Sequence, residues 1–233
     1  MRGMEKNSCT PCTNAGITKK ITEYKLVLVD MDGTLYYQRP LQLTMGCKMV
    51  MNALFCKNGL SELLTVLRFR KMREEITEQQ DVDGQLYESL SAARNLSKER
   101  VQEIIRKWIY ELPLTHIPRF RDAKLCQVIQ QLEEQGIMTV IWSDYPTGEK
   151  QKALGLAKLP GCYNGREEIA ALKPSPKGIC YLMSQYGIAD AGQVLVIGDR
   201  KSKDGAAAVA AQTDYVILKK NPLQRKKQYK KLL

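Results

Sequence analysis

KLVLVDMDGTL, running from Lys25 to Leu35, is the stretch on which the reading of this 233-residue chain turns. Lys25 to Val29 is almost wholly apolar, which suits a strand buried on both faces of a parallel sheet. The character then reverses. Asp30, Met31, Asp32, Gly33 and Thr34 set two carboxylates at alternate positions beyond the strand, and the glycine allows a sharp turn. In open α/β sheets the carboxyl ends of strands are where ligands bind. Two acids there can share one small site, one as nucleophile or metal ligand and the other as proton donor. The same Asp-X-Asp-Gly spacing also suits a plain turn or a calcium loop. An EF-hand loop needs a glutamate at its twelfth position, and counted from Asp30 that residue is Leu41.

Downstream, the apolar periods divide the chain. Met45, Met49, Ala53 and Leu54 keep helical spacing, as do Leu60, Leu63, Leu64, Leu67 and Met72. Val101, Ile104, Ile105, Trp108 and Ile109 follow, with Ser97 placed to cap that helix. Residues 41 to about 115 therefore read as an all-helical block, with Met45, Met49, Met51 and Trp108 in its interior. After it, strand and helix patterns alternate. Asp122 can cap a helix bearing Leu125, Val128, Ile129 and Leu132, and Gly136 stops it. Ile137–Trp142, Gln193–Ile197 and Tyr215–Leu218 read as strands, the first two running into Ser143-Asp144 and Gly198-Asp199. Pro160-Gly161 reads as a turn. This alternation predicts an α/β fold with a doubly wound parallel sheet.

The net charge of +11 is terminal: residues 1–25 carry +3 and residues 219–233 carry +7, so the remainder is nearly neutral. Residues 1–24 read as a mobile basic leader, and 219–233 as a solvated basic tail making weak contacts with polyanions; no specific nucleic-acid binding is expected. Seven scattered cysteines, with Cys9 and Cys12 in a lone C-x-x-C, suggest free thiols in a reducing, cytoplasmic setting. No apolar run approaches the roughly 18 residues of a membrane span. The single histidine, His116, leaves little for Ser-His-Asp or Cys-His chemistry and reads as structural.

DMDGT at 30–34, a strand ending in Ser143, Lys173 before a proline, and GDRKSKD at 198–204 together resemble the haloacid dehalogenase-like hydrolase superfamily, in particular its phosphatase members with a helical cap inserted after the first motif. The likeness spans Lys25 to Leu218. It implies a Rossmann-like core at 25–37 and 119–218 and a cap at 38–118. It further implies Mg²⁺ held by the carboxylates of Asp30 and Asp199 and the carbonyl of Asp32, with Asp204 behind them or orienting Lys173. Asp30 would be the nucleophile and Asp32 the acid and base. Met31, Ser143, Asp144 and Lys173, with Asp30 and Asp32, would surround the phosphate. An aspartate at 32 points to phosphoryl rather than halide chemistry. The resemblance thus implies a phosphatase acting on a small phosphorylated metabolite. A phosphomutase of the same fold, or a catalytically idle binding protein, remains open. Arg68, Arg70, Lys71 and Arg73 crowd one cap helix, where a residue reaching the site on closure would recognise a remote anionic group.

Overall fold

The computed structural model of the protein describes residues 19–76 and 82–232. Five strands form one sheet: β1 (Leu26–Asp30), β2 (Met138–Ser143), β3 (Gly161–Tyr163), β4 (Val194–Gly198) and β5 (Asp214–Ile217). Their order is β3-β2-β1-β4-β5 and every pairing is parallel, so β1 is the central strand. All five of its residues are buried, because helices cover both faces. Val27 and Val29 pack with Leu125, Ile129 and Leu132, whereas Leu26 and Leu28 pack with Ile179, Leu182 and Ala207. This is the doubly wound arrangement that the strand–helix alternation predicts.

The strands lie within a residue of their expected positions, with one addition. Pro160-Gly161 is not merely a turn: Gly161–Tyr163 pairs with Ile141–Ser143 as the short edge strand β3. Three residues, of which only Cys162 is fully buried, are too few to show an apolar period. The expected caps are present. Asp122 accepts from Leu125 N at 3.2 Å, and Ser97 accepts from Arg100 N at 3.2 Å. Gly136 takes the left-handed conformation (φ 78°) that ends the helix after Asp122.

Between β1 and β2 the described chain is helical, with α1 (Gln38–Phe55), α2 (Gly59–Glu75), α3 (Val82–Arg94) and α4 (Lys98–Ile105), then short turns, then α5 (Ala123–Glu134). In α2 the apolar stripe read from sequence is split: Leu63 and Met72 pack against the core, and the other three leucines face outward. Leu60, Leu64 and Leu67 are exposed, while Glu62, Thr65, Val66, Phe69 and Arg73 are buried. Met51 and Leu54 of α1 are likewise exposed, whereas Met45, Met49 and Trp108 are interior as expected. The inward face of α2 is polar because its partners are polar. Glu62 accepts from Trp108 Nε1 (2.8 Å), Lys107 Nζ (2.9 Å), Arg100 Nη2 (2.7 Å) and Asn52 Nδ2 (3.2 Å).

Both termini of the described chain belong to the core. Ile21 and Tyr24, assigned from sequence to a mobile leader, are buried, and Tyr24 donates to Asp214 at 2.7 Å. Cys9 and Cys12 lie outside the described residues. Residues 219–233, assigned to a solvated tail, instead contain α9 (Pro222–Leu232). Its Arg225 and Tyr229, one turn apart, are each 2% exposed. Neither belongs to an apolar stripe; their burial depends on polar partners far away in sequence. No helix among the described residues is long and apolar enough to cross a membrane.

The Glu62 knot yields a stability prediction. Burial alone would raise its pKa, but the hydrogen bonds from Lys107 and Trp108, with the Lys107 and Arg100 charges, outweigh that and hold it below the usual value. A lowered folded pKa gives stability that is complete above about pH 4.3 and fades as pH falls through the folded value. Glu62→Gln should cost about 1–3 kcal/mol in urea unfolding at pH 7. The gap from the native protein should narrow at pH 3.

Candidate active site

The end of β1 delivers Asp30 into the molecule with its carboxylate gripped on both oxygens. Lys173 Nζ contacts Oδ1 at 2.7 Å and Thr34 Oγ1 donates to Oδ2 at 2.8 Å. Lys173 is 1% exposed and also reaches Asp204 Oδ1 at 2.9 Å and the Trp142 carbonyl at 3.2 Å. The second oxygen of Asp204 accepts from the backbone N–H groups of Asp199 (3.2 Å) and Arg200 (3.0 Å), shaping the turn after β4. Gly33 has φ 96°, and a Cβ there would lie 2.5 Å from Asp199 Oδ2. Only glycine lets the two loops meet.

Carboxylate oxygens of Asp30, Asp199 and Asp204 lie within 4.8 Å of one another, with one buried ammonium, Lys173, among them. Burial, then the Asp204 charge, pushes the Asp30 pKa up against the pull of Lys173. Burial, then Asp204, also raises Asp199. Burial would lower Lys173, but Asp204 and Asp30 outweigh it and keep it an ammonium. Asp199 Oδ1 is buried without a hydrogen-bond partner. An orphaned buried carboxylate oxygen beside a second carboxylate suits a hard, oxygen-seeking cation such as Mg²⁺. Asp204 has both oxygens occupied and is placed to orient rather than to bind.

Asp32, two residues from Asp30, has a separate set of partners. Its Oδ1 accepts from Lys150 Nζ at 2.5 Å and from the Tyr36 hydroxyl, and its Oδ2 accepts from Ser143 Oγ at 3.2 Å. Burial would raise its pKa, but the charge and hydrogen bond of Lys150, with those from Tyr36 and Ser143, hold it below the usual range. Burial, then the Asp32 charge, keeps the Tyr36 phenol neutral and therefore a donor.

Of the residues expected from sequence, Asp30, Asp32, Ser143, Lys173, Asp199 and Asp204 converge. Met31 buries its side chain, so its backbone alone is available. Asp144 also lines the cavity, and its Oδ1 accepts from Asn164 Nδ2 (2.8 Å) and Lys173 N (3.0 Å), so it helps to position Lys173. Sequence reasoning missed Lys150, Tyr36 and Thr34. Thr34 closes the DMDGT run and Tyr36 follows two residues later, and their polar groups were the available signal. Lys150 is one of two lysines on the short helix α6 (Gly148–Ala153), with nothing in the sequence to single it out.

A family model for haloacid dehalogenase-like hydrolases matches residues 24–212. The chain belongs to that family. No curated protein matches the hydrolase in sequence. Among solved structures, the HAD-hydrolase YfnB of Bacillus subtilis, bound to magnesium, superposes with a TM-score of 0.63 at 14% identity, over 90% of this chain and 99% of that one. A HAD family hydrolase from Deinococcus radiodurans, with bound phosphate and sodium, gives 0.51 at 16% identity, over 83% and 80%. A HAD phosphatase from Thermococcus onnurineus gives 0.51 at 18%, over 84% and 87%. At these identities the likeness is one of fold.

In the hydrolase, Asp30 and Asp32 open into a cavity of about 150 Å³ between the sheet and the helical insert. Leu41, Met45, Trp108 and Ile109 supply an apolar wall, with Gln38, Gln42 and Arg70 as polar points. The four clustered cations of α2 have different fates. Arg68 and Lys71 are exposed. Arg70 lines the cavity. Arg73 is buried and docks the insert on the sheet. Its Nη2 donates to the Asp144 carbonyl (2.6 Å) and the Tyr163 hydroxyl (3.0 Å), and Nη1 pairs with Asp83 at 2.7 Å. Its guanidinium also lies 4.4 Å from the Tyr145 ring centroid. Arg73→Ala should therefore lower thermal stability by about 1–3 kcal/mol through unpaired polar groups. Arg68→Ala and Lys71→Ala, measured alongside by calorimetry, should change it by no more than about 0.5 kcal/mol.

Proposed function

We propose that the protein is a magnesium-dependent phosphatase that hydrolyses a small phosphate monoester through an aspartyl-phosphate. One observation carries this reading: two neighbouring carboxylates open into a single cavity with separate sets of partners. Asp30 is braced by Lys173 and Thr34, and Asp32 by Lys150, Tyr36 and Ser143. The second carboxylate sets this site toward a leaving group that needs a proton.

Asp30 and Asp199, with the Asp32 carbonyl, would hold Mg²⁺, which when bound neutralises negative charge on the phosphoryl oxygens. An oxygen of Asp30 forms the new bond to phosphorus as the ester P–O bond breaks. Before substrate enters, Asp32 is a carboxylate. An arriving phosphate dianion raises its proton affinity, so that it takes up a proton from solvent, delivers it to the departing oxygen, and recovers one from the water whose oxygen bonds to phosphorus as the Asp30–phosphorus bond breaks. Lys173 offsets charge on Asp30, and Ser143 lies within reach of both Asp32 and the incoming group. The helical insert acts as the cap, with its apolar wall excluding bulk water.

Asp30→Asn should abolish turnover of every phosphate ester. Asp32→Asn should slow phosphorylation of the enzyme by alkyl phosphates by about 10²- to 10⁴-fold, and by an activated aryl phosphate much less, in single-turnover assays with Mg²⁺. With the aryl ester, an adduct on Asp30 should be trapped by acid quench and seen by mass spectrometry. Equal slowing of both esters and no adduct would overturn the division of roles, while isomer formation without phosphate release would point to a mutase. Arg70→Ala should raise KM for the natural substrate, found by screening phosphorylated metabolites, but not for a bare aryl phosphate. The same rise for both would remove Arg70 from substrate recognition.

A further inference from the structure

We propose that Arg225 is a positioning residue for this reaction: from α9 it locks the Gly33–Thr34 turn, and through that turn it sets the places of Asp30 and Asp199. The proposal rests on Asp30 being the reacting group. Arg225 Nη2 donates to the Gly33 carbonyl at 2.6 Å and Nη1 to the Thr34 carbonyl at 2.9 Å. Nη1 also meets Asp122 Oδ2 at 3.2 Å, and Nε donates to the Lys219 carbonyl at 2.8 Å. Asp122 is itself fixed, since it caps α5 and accepts from the Tyr229 hydroxyl at 2.6 Å. The guanidinium therefore bridges a rigid anchor and two successive carbonyls, which only a planar fork of donors can do.

The turn is held from its other side as well. The N–H groups of Thr34 and Leu35 both point at the Met31 carbonyl, at 3.3 and 3.0 Å. With the two carbonyls fixed by Arg225, the peptide planes after Asp32 have little freedom to rotate. Two consequences reach the chemistry. The Thr34 hydroxyl is aimed at Asp30 Oδ2, and Gly33 is held against the Asp199 carboxylate. Arg225 does not line the cavity above Asp30 and Asp32, so it acts through the turn and not on a substrate there. It borders a separate cavity of about 170 Å³, with Gly33, Tyr37, Asp199 and Lys220, into which the space left by a truncated Arg225 would open.

The test compares Arg225→Ala with Tyr229→Phe, which removes one bond from α9 to Asp122 but leaves Asp122 capping α5 and Arg225 on both turn carbonyls. Arg225→Ala should lower kcat by about 10²-fold with KM changed less than about threefold, the pattern of misplaced reacting groups. Arg225→Lys should not restore it. Tyr229→Phe should lower Tm yet keep kcat within about twofold. Millimolar guanidinium should partly restore Arg225→Ala and leave the native enzyme and Tyr229→Phe unimproved. Hydrogen exchange at the Gly33, Thr34 and Leu35 amides should quicken in Arg225→Ala only. If the alanine variant does not fold, Arg225→Gln, which can serve one carbonyl, should show the same effects at smaller size. Loss of kcat in step with Tm in both variants, without rescue or a local exchange difference, would overturn the proposal. If the native protein hydrolyses no phosphate ester, the phosphatase reading fails, and the exchange comparison alone decides whether Arg225 holds the turn.

Discussion

Crowded negative charge at the carboxyl edge of the sheet is the constraint around which the molecule is arranged. Asp30 and Asp204 share one buried ammonium, Lys173, and Asp199 stands close to both. Such a cluster costs folding free energy unless each oxygen is paired or a cation is supplied. The chain meets that cost locally. Asp204 saturates itself on Lys173 and two backbone N–H groups, and Asp144 secures the backbone of Lys173. What is left unpaired, Asp199 Oδ1, is left where a cation would be useful.

The fold was legible in sequence because its central strand is buried on both faces, and burial leaves an uninterrupted apolar run with no need of a partner to interpret it. The site was legible for a similar reason: strand ends bring Asp30, Ser143 and Asp199 to one edge, so their position in the pattern is nearly their position in space. Other features depended on polar partners. The buried face of α2 is Glu62, Thr65 and Arg73 as much as Val66 and Phe69, so Leu60, Leu64 and Leu67, at spacings that mark a core face elsewhere, lie on the outer face here. Arg225 and Tyr229 sit among lysines in a stretch whose composition reads as solvated. They are buried because Asp122 and two turn carbonyls await them, which no local pattern encodes.

The insert and the sheet divide the labour by chemistry. Groups from the sheet edge are charged and mutually bonded, whereas the wall opposite sets Leu41, Met45, Trp108 and Ile109 among the polar Gln38, Gln42 and Arg70. The two halves are joined by Arg73, whose contact with the Asp144 carbonyl touches the loop that begins at Ser143. Arg200 adds a second link to the insert through Glu74 at 3.0 Å. The cations that dock the insert thus lie on or against the loops that carry the acids.

The hold of Arg225 on Gly33 spans 192 residues of sequence. On a ribosome the sheet's first strand and its acidic turn emerge early, and the side chain that fixes the turn emerges only after all five strands have been made. At roughly 5–20 residues per second, that interval is on the order of ten seconds or more. During it the nascent chain can gather its hydrophobic sheet while the acidic turn is still unbraced. The brace on that turn is thus completed late in synthesis, by a residue that belongs to none of the five strands.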